Sequence, residues 1–322
     1  MMREQEGGSL KDCLFVYLNQ HNIDILEMES IKPKLIKIST NKGMFVAKQF
    51  HNHTSLLMQL EFLQKIRTTG FNGTYTFSDE IKPFECKGKS IGFLDYLPKH
   101  SKSFTYNSYS ERLEGLSLLT NMHEASTQII NDLKIPKYSF SQVRKWGERL
   151  DEFLANRNLL RRLIPDYVLM EYVRMGEWVL NLLGSIELED VDEKRVIIHG
   201  DLAHHNFFRK EDGELLLIDF DLMAVAPAIV DYLQYANRLL ISNNCSLKEI
   251  LSFPQFKQYR NHSIFLIGLC FPTDIYREWN RICREQLWNS KRRLDSLWEI
   301  TVVDLPKRLK FFKELKTRIG YL

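Results

Sequence analysis

The chain has 322 residues, 44% hydrophobic and 26% charged, with a formal net charge of +3. That length suits two lobes, each able to bury a core, and the composition excludes a collagen-like, disulfide-scaffold or disordered chain. So small a net charge does not by itself call for nucleic acid or a membrane surface, and neither is expected as a partner.

The N-terminal stretch, Met1 to Asp12, lacks the apolar core of a signal peptide. The five cysteines, Cys13, Cys86, Cys245, Cys270 and Cys283, are odd in number and scattered, without a CxxC pair. They make a poor disulfide framework and predict a reducing, cytoplasmic setting. Ile36 and Ile38 alternate with polar neighbours, run into the turn signal Asn41-Lys42-Gly43, and continue as Met44-Phe45-Val46-Ala47-Lys48, which predicts a β-hairpin. Leu56, Leu60 and Leu63 recur at helical spacing up to Gly70. Ser90 to Leu94 reads as a strand, broken at Pro98.

From Ser110 the periodicity is helical: Leu113, Leu116, Leu119 and Met122 form one stripe, and Val168, Tyr172, Met175, Val179, Leu182 and Ile186 another. Val196-Ile197-Ile198 and Leu215 to Ile218 interrupt the helices and are expected to pair around an Asp212-Gly213 turn. Residues 281–322 carry eleven Lys/Arg against five Asp/Glu. There Leu305, Leu309, Phe312, Leu315 and Ile319 form an apolar stripe, with Lys307, Arg308, Lys310, Lys313 and Lys316 on the rest of the circumference. That predicts a packed helix with a solvated basic face rather than a polyanion or membrane contact. The longest strongly apolar run, Ile264 to Phe271, is too short to span a bilayer. The whole reads as α+β: a small strand-rich lobe over residues 1–97, a hinge near 94–99, and a larger, mostly helical lobe over 98–322.

The chemistry concentrates in VIIHGDLAHHNFF, residues 196–208, and LLLIDFD, residues 215–221. An apolar strand ends in His199-Gly200-Asp201-Leu202, Asn206 follows five residues after Asp201, and a second strand delivers Asp219. Acids at the ends of buried strands are costly unless paired or bound to a cation, and an amide with carboxylates suits a hard, oxygen-liganded ion such as Mg²⁺. His199 to Asn206 matches the pattern H-R-D-L-x-x-x-N at all positions but one. In phosphoryl transfer, Asp201 would be the base that takes the acceptor's proton, and Asn206 and Asp219 would hold Mg²⁺ on ATP. Lys48, on a strand face with Met44 and Val46, is an odd place for a solvated cation. Glu61, thirteen residues on, is its expected partner in gripping the α- and β-phosphates. The backbone of Tyr96 and Leu97, at the hinge, would meet the adenine ring.

These motifs resemble those of the aminoglycoside phosphotransferase and choline kinase superfamily, with its HGDxxxxN loop and IDFD strand end. Within it the chain is most similar to the CotS-type spore-coat kinase-like proteins of endospore-forming bacteria. The resemblance runs from Ile31 to Ala236 and takes in FVAK (45–48), QLEFLQKI (59–66), LTNMHEAS (119–126) and Pro227…Asp231-Tyr232-Leu233. It implies a protein-kinase-like two-lobed fold, ATP and Mg²⁺ as cofactors, and a place in or near the spore coat, with other coat proteins as partners. It also implies that Asp231 braces the catalytic loop from a helix start. Gly200 replaces the protein-kinase arginine, and Ala226-Pro227, beginning only seven positions after Asp219, leaves no room for an activation loop. Both favour a small-molecule acceptor. Ser30 to Leu35, where a glycine-rich phosphate loop belongs, contains no glycine.

Other readings stand beside this one. Asp221 could serve a second metal or the acceptor, or an ion pair. His199, His204 and His205 share a loop, at spacings unlike zinc sites, and His199 is expected to hydrogen-bond the loop backbone. A non-catalytic kinase-like scaffold of the spore coat would keep the fold without the chemistry. A metal-dependent phosphoesterase would use the same Asp, Asn and His residues but would need neither Lys48 nor a strand-rich first lobe.

Overall fold

The computed structural model describes residues 9–135, 142–184, 191, 193–243 and 246–320. In chain order the first elements are α1 (Leu10–Gln20), β1 (Ile25–Lys32), β2 (Leu35–Thr40), β3 (Gly43–Phe50), α2 (His53–Thr68), β4 (Phe84–Cys86), β5 (Lys89–Asp95) and α3 (Tyr109–Ile129). Then come α4 (Gln142–Ala155), α5 (Arg157–Leu160), α6 (Asp166–Leu183), β6 (Arg195–Ile198), β7 (Phe207–Arg209), β8 (Leu215–Leu217) and β9 (Ala224–Pro227). The remainder is helical: α7 (Ile229–Asn243), α8 (Leu247–Ile250), α9 (Ser263–Leu269), α10 (Thr273–Glu285), α11 (Lys291–Trp298) and α12 (Leu305–Ile319). The chain divides into two compact units. One holds residues up to 104, 118–135 and 204–223, and the other residues 105–117, 136–203 and 224 onward.

The first unit is built on an antiparallel sheet of order β1-β2-β3-β5-β4. The expected hairpin is β2–β3, closed at Thr40 opposite Gly43. Gly43 sits at φ +124°, open to glycine and strained for other residues. One face of the sheet buries Ile36, Ile38, Phe45, Ala47, Ile91 and Phe93 against Leu10, Leu14 and Leu18 of α1. That helix starts at a capping box in which the Ser9 side chain and Asp12 satisfy each other's backbone N–H groups.

Cys13 of α1 and Cys86 of β4 form a disulfide across 73 residues of sequence. This overturns the expectation of unpaired cysteines, and with it the ground for a reducing compartment. A helix laid over a sheet brings distant residues together in a way that spacing along the chain does not display. Cys270 and Cys283 are free thiols, and Cys245 lies outside the described residues.

The strand pairing around the catalytic motifs also differs from expectation. Val196 to Ile198 do not pair with Leu215 to Ile218. Instead β7 and β8 form the hairpin of the first unit, with Phe207 opposite Leu217, while β6 pairs with β9 in the second. The two-residue signal Asp212-Gly213 demands partners close on either side, and Phe207 to Arg209 are nearer than β6.

In the second unit, Val168, Tyr172, Met175 and Val179 of α6 are buried as their spacing predicts, Leu182 of the same stripe is exposed, and Ile186 lies outside the described residues. Leu305 and Leu315 anchor α12, and Phe312 meets Trp178 edge-on at 5.1 Å. Lys307, Lys310, Lys313 and Lys316 face solvent. Arg308 does not: it forms a two-pronged pair with buried Asp274, at 3.2 and 2.5 Å. Among the described residues, no helix is long and apolar enough to cross a membrane.

Candidate active site

In the first unit, Lys48 projects from β3 on the face opposite Phe45 and Ala47, with 9% of its side chain exposed. Its ammonium donates to Asp219 Oδ1 and Asp221 Oδ1, both at 2.7 Å. These carboxylates follow β8 and flank Phe220, whose ring is buried against Phe62 and Tyr75 at 5.2 and 6.1 Å. Seating the phenyl ring turns the residues on either side of it toward the lysine. Asp219 adopts φ +70°, a conformation that costs most L-residues free energy and that aspartate tolerates better than most. Backbone strain of this kind gathers at functional sites.

Behind the ion pairs lies a neutral relay. The buried Tyr75 hydroxyl donates to Gln59 Oε1 at 3.0 Å, and Gln59 Nε2 donates to Asp221 Oδ1 at 2.8 Å. Burial first, then the charges of Asp219 and Asp221, pushes the Tyr75 phenol well above its ordinary range, so it stays a donor. A donor at that position fixes the amide: its oxygen must face Tyr75 and its nitrogen Asp221. For Asp221, burial works against ionisation. The Lys48 charge and the hydrogen bonds from Lys48 and Gln59 outweigh it, and the carboxyl is held below its usual range.

Glu61 is not the partner of Lys48. It faces Lys65, one turn along α2, at 3.7 Å. The buried face of α2 is Leu56, Gln59, Phe62, Leu63 and Ile66. Glu61, two residues from Gln59, points about 200° away around the helix. Gln59, three residues after Leu56 and four before Leu63, was visible in the spacing of the apolar stripe as its one polar member.

Asn206 ends a 3-10 turn, is 2% exposed, and its carbonyl accepts the Ile218 N–H at 2.9 Å. This bond ties it to the residue preceding Asp219. An amide and a carboxylate, both oxygen donors, fit a Mg²⁺ ion, with Asp219 released from Lys48 to take part. Among the described residues, no group of three or more His, Cys, Asp or Glu side chains is placed to hold a metal by itself. Tyr96 and Leu97 follow β5 and are half-buried. The Tyr96 N–H already donates to the Met44 carbonyl at 3.3 Å. The β1–β2 connection is the two residues Pro33-Lys34, with Lys32 paired to Leu35, so it forms a tight turn rather than a loop.

In the second unit, β6 delivers the segment 199–202, and its backbone is bound at nearly every step. Buried Asp231, in the first turn of α7, accepts from His199 N at 2.8 Å and Gly200 N at 3.0 Å. Gln234, one turn on, donates to the Gly200 carbonyl at 2.9 Å and accepts from Leu202 N. The Tyr106 hydroxyl donates to the Leu202 carbonyl at 2.8 Å, and His199 Nδ1 accepts from Asp201 N at 3.3 Å. Gly200 turns the chain at φ +80°. Asp231 thus braces the loop from a helix start, and His199 bonds its backbone. The Asp201 carboxylate is 40% exposed and lies 3.7 Å from Arg238 of α7. A cavity of about 280 Å³ in this unit is lined elsewhere, by residues that include Asn237, Cys270, Asp274 and Arg308.

Residues 116–244 match the sequence profile described as the phosphotransferase enzyme family. No curated protein is similar enough in sequence to count as a relative. Among solved structures, the chain is similar to an aminoglycoside phosphotransferase from Alicyclobacillus acidocaldarius, with a TM-score of 0.71 at 15% identity over 99% of both chains. It is also similar to spectinomycin phosphotransferase APH(9)-Ia in its AMP-bound complex, with a TM-score of 0.59 at 15% identity over 96% of this chain and 95% of the other. A third is a putative aminoglycoside phosphotransferase from Ralstonia eutropha, with a TM-score of 0.57 at 12% identity over 95% and 98%. At these identities the likeness is one of fold. The chain has the kinase-like, two-lobed α+β fold, with a five-stranded N-terminal sheet and a mostly helical remainder.

Proposed function

We propose that the chain is an ATP-dependent phosphotransferase acting on a hydroxyl group of a small molecule. The observation that carries this reading is the Lys48–Asp219–Asp221 cluster: a buried cation held by two carboxylates at the end of a strand, one of them at positive φ. Neither the fold nor the core requires such a group. The family profile over residues 116–244 and the nucleotide named in the AMP-bound relative support the same conclusion.

In this reading Lys48 exchanges Asp219 for nucleotide phosphates while keeping Asp221, and Asn206 and Asp219 would hold Mg²⁺ against them. Mg²⁺ held there would supply charge neutralisation on the phosphates. Asp201 takes the proton of the acceptor hydroxyl. The acceptor oxygen bonds to the γ-phosphorus, the bond from that phosphorus to the β–γ bridging oxygen breaks, and ADP leaves with the electron pair. Asp221, anchored by Gln59 and Tyr75, keeps Lys48 in place in the role expected of Glu61. With the Tyr96 N–H engaged by Met44, adenine would be met by the Tyr96 carbonyl and the Leu97 backbone.

Isothermal titration calorimetry tests the metal assignment. ATP should bind with Mg²⁺ and lose most of its affinity without the ion or in Asp219→Asn. Equal affinity in all three conditions would contradict the site.

One observation favours a second reading, a non-catalytic scaffold of the CotS spore-coat type. The Pro33-Lys34 turn offers no glycine backbone to cradle phosphates. In that case Mg·ATP would not raise the melting temperature.

A further inference from the structure

In the second unit, cations from three helices gather in one region, and one of them stands beside Asp201. Arg238 of α7 lies 3.7 Å from its carboxylate. On α4, Lys145 and Arg149 stand one turn apart, and α4 packs against α10. Arg149 Nη1 donates to Thr273 Oγ1 of α10 at 2.6 Å, and Asn280 Nδ2 donates to the Arg149 carbonyl at 2.9 Å. Arg277, one turn along α10 from Thr273, pairs with Glu278 at 3.1 Å. Lys145, Arg149, Arg238 and Arg277 are all only partly exposed, although long cationic side chains ordinarily extend into water.

These groups feel one another. Lys145 is lowered below the ordinary lysine range by burial first and then by the charges of Arg149 and Arg277, against the pull of Asp201 and Glu148. Burial, and then Arg277, lowers Arg238 as well, against Tyr106, Asp201 and Glu278. On these two groups the pull of Asp201, Glu148 and Glu278 is opposed by the cations Arg149 and Arg277. Glu148 also faces Arg144 at 3.8 Å, and Glu278 also faces Arg281 at 4.0 Å. Each cation has protein partners of its own; what matters is the sign of the field they make together. Arg149 and Arg277 act on Lys145, and Arg277 on Arg238, as like charges, and the field shifts further toward positive once Asp201 accepts a proton.

We propose that the acceptor whose hydroxyl approaches Asp201 is a small hydroxylated anion, an alcohol bearing a carboxylate or a phosphate group. The inference rests on the phosphotransferase reading and names its substrate class. A polycation such as an aminoglycoside meets repulsion from Lys145, Arg149, Arg238 and Arg277, whereas guanidinium groups suit the planar, two-oxygen face of a carboxylate or the oxygens of a phosphate. Opposite charge also raises the local concentration of the acceptor near the base.

The test is calorimetric titration of the full chain without nucleotide. D-gluconate represents the carboxylates, glycerol 3-phosphate the phosphates, glycerol the neutral alcohols and kanamycin the polycations. At least one anion should bind about tenfold or more tightly than glycerol and kanamycin, and the tighter of the two anions identifies the charged group. The double substitution Lys145→Met/Arg277→Met should weaken that binding by about tenfold or more, while Lys145→Arg/Arg277→Lys retains it. A melting shift with Mg·ATP confirms that each variant is folded. Kanamycin or glycerol binding as tightly as both anions overturns the inference, as does binding of neither anion, or anion binding that ignores Lys145→Met/Arg277→Met. In those cases an intact Mg·ATP shift leaves the phosphotransferase reading standing. Loss of the Mg·ATP shift in the unmodified protein defeats that reading, while the anion titration still decides the sign of the pocket.

Discussion

The two units hold their acids by opposite means. In the first, Asp219 and Asp221 are fixed through their side chains, by the charge of Lys48 and the amide of Gln59. In the second, the segment 199–202 is fixed through its backbone by Asp231, Gln234 and Tyr106, and the Asp201 carboxylate keeps 40% of its surface. A carboxylate locked in an ion pair must exchange partners before it can bind a metal. One carried on a braced loop can meet a substrate without rearrangement, which is how preorganised groups act in catalysis. Under the proposed function, the cluster around Lys48 is the element that responds to nucleotide and the Asp201 loop is the rigid one.

The largest effect that separates them is on turnover. Asp201→Asn should reduce phosphate transfer by roughly 10²–10⁴-fold, the contribution of a positioned general base, and leave the Mg·ATP melting shift unchanged because the loop backbone is untouched. A steady-state assay of ADP release alongside differential scanning fluorimetry reads both. Equal rates in the two proteins would remove Asp201 as the base.

Asp231→Asn should sharpen the contrast by striking the brace itself. One of the two oxygens that accept from His199 N and Gly200 N becomes an amide NH₂, so one of these buried or half-buried donors loses its partner at a cost of about 1–3 kcal/mol. Turnover and melting temperature should fall together, unlike Asp201→Asn. A variant with native stability and native rate would mean that the backbone is held without it.

The smallest effect lies in acid. The folded-state pKa of Asp221 is depressed by Lys48 and Gln59 against the cost of burial. Its contribution to stability is therefore present above the unfolded value, about 3.9, and is lost as pH falls through the lower folded value. Half of the Asp221 side chain is exposed, so the contribution is under about 1 kcal/mol. Melting curves of the unmodified protein and Asp221→Asn should differ at pH 6 and merge on acidification. Merging as pH rises would have the wrong sign for this network.

Much of this was legible in the residues, and for definable reasons. Repetition along one element reports burial, so the β2–β3 hairpin, α2, α3, α6 and α12 follow from periodicity and turn chemistry. The order Asp201, Asn206, Asp219 is the ground for the proposed chemistry, because few structural needs place those groups in that succession, whereas His199 serves the loop backbone. Partner choice was less legible. Glu61 has the type and spacing of a partner for Lys48, yet about 200° around the helix separates it from the face that Gln59 occupies. Asp221 looked equally suited to an ion pair, a metal or the acceptor, because only the seating of Phe220 decides where it points. The charged strand β1 is hard to read for a related reason: most of its residues are exposed, so no apolar alternation marks it. The Cys13–Cys86 bridge depends on how α1 lies over the sheet, which a list of cysteine positions does not contain.

The central claim is that Lys48 is a nucleotide ligand held in reserve by Asp219 and Asp221. The direct measurement is the melting shift produced by Mg·ATP in the unmodified protein, in Lys48→Met and in Glu61→Gln. At about one hundred times the dissociation constant, the nucleotide should stabilise the unmodified protein by about 2.7 kcal/mol, a shift of several degrees for a chain of this size. Lys48→Met should melt lower without ligand, since two neighbouring carboxylates lose their cation, and should lose most of the shift; Glu61→Gln should keep it. No shift in the unmodified protein, or a full shift in Lys48→Met, would contradict the account.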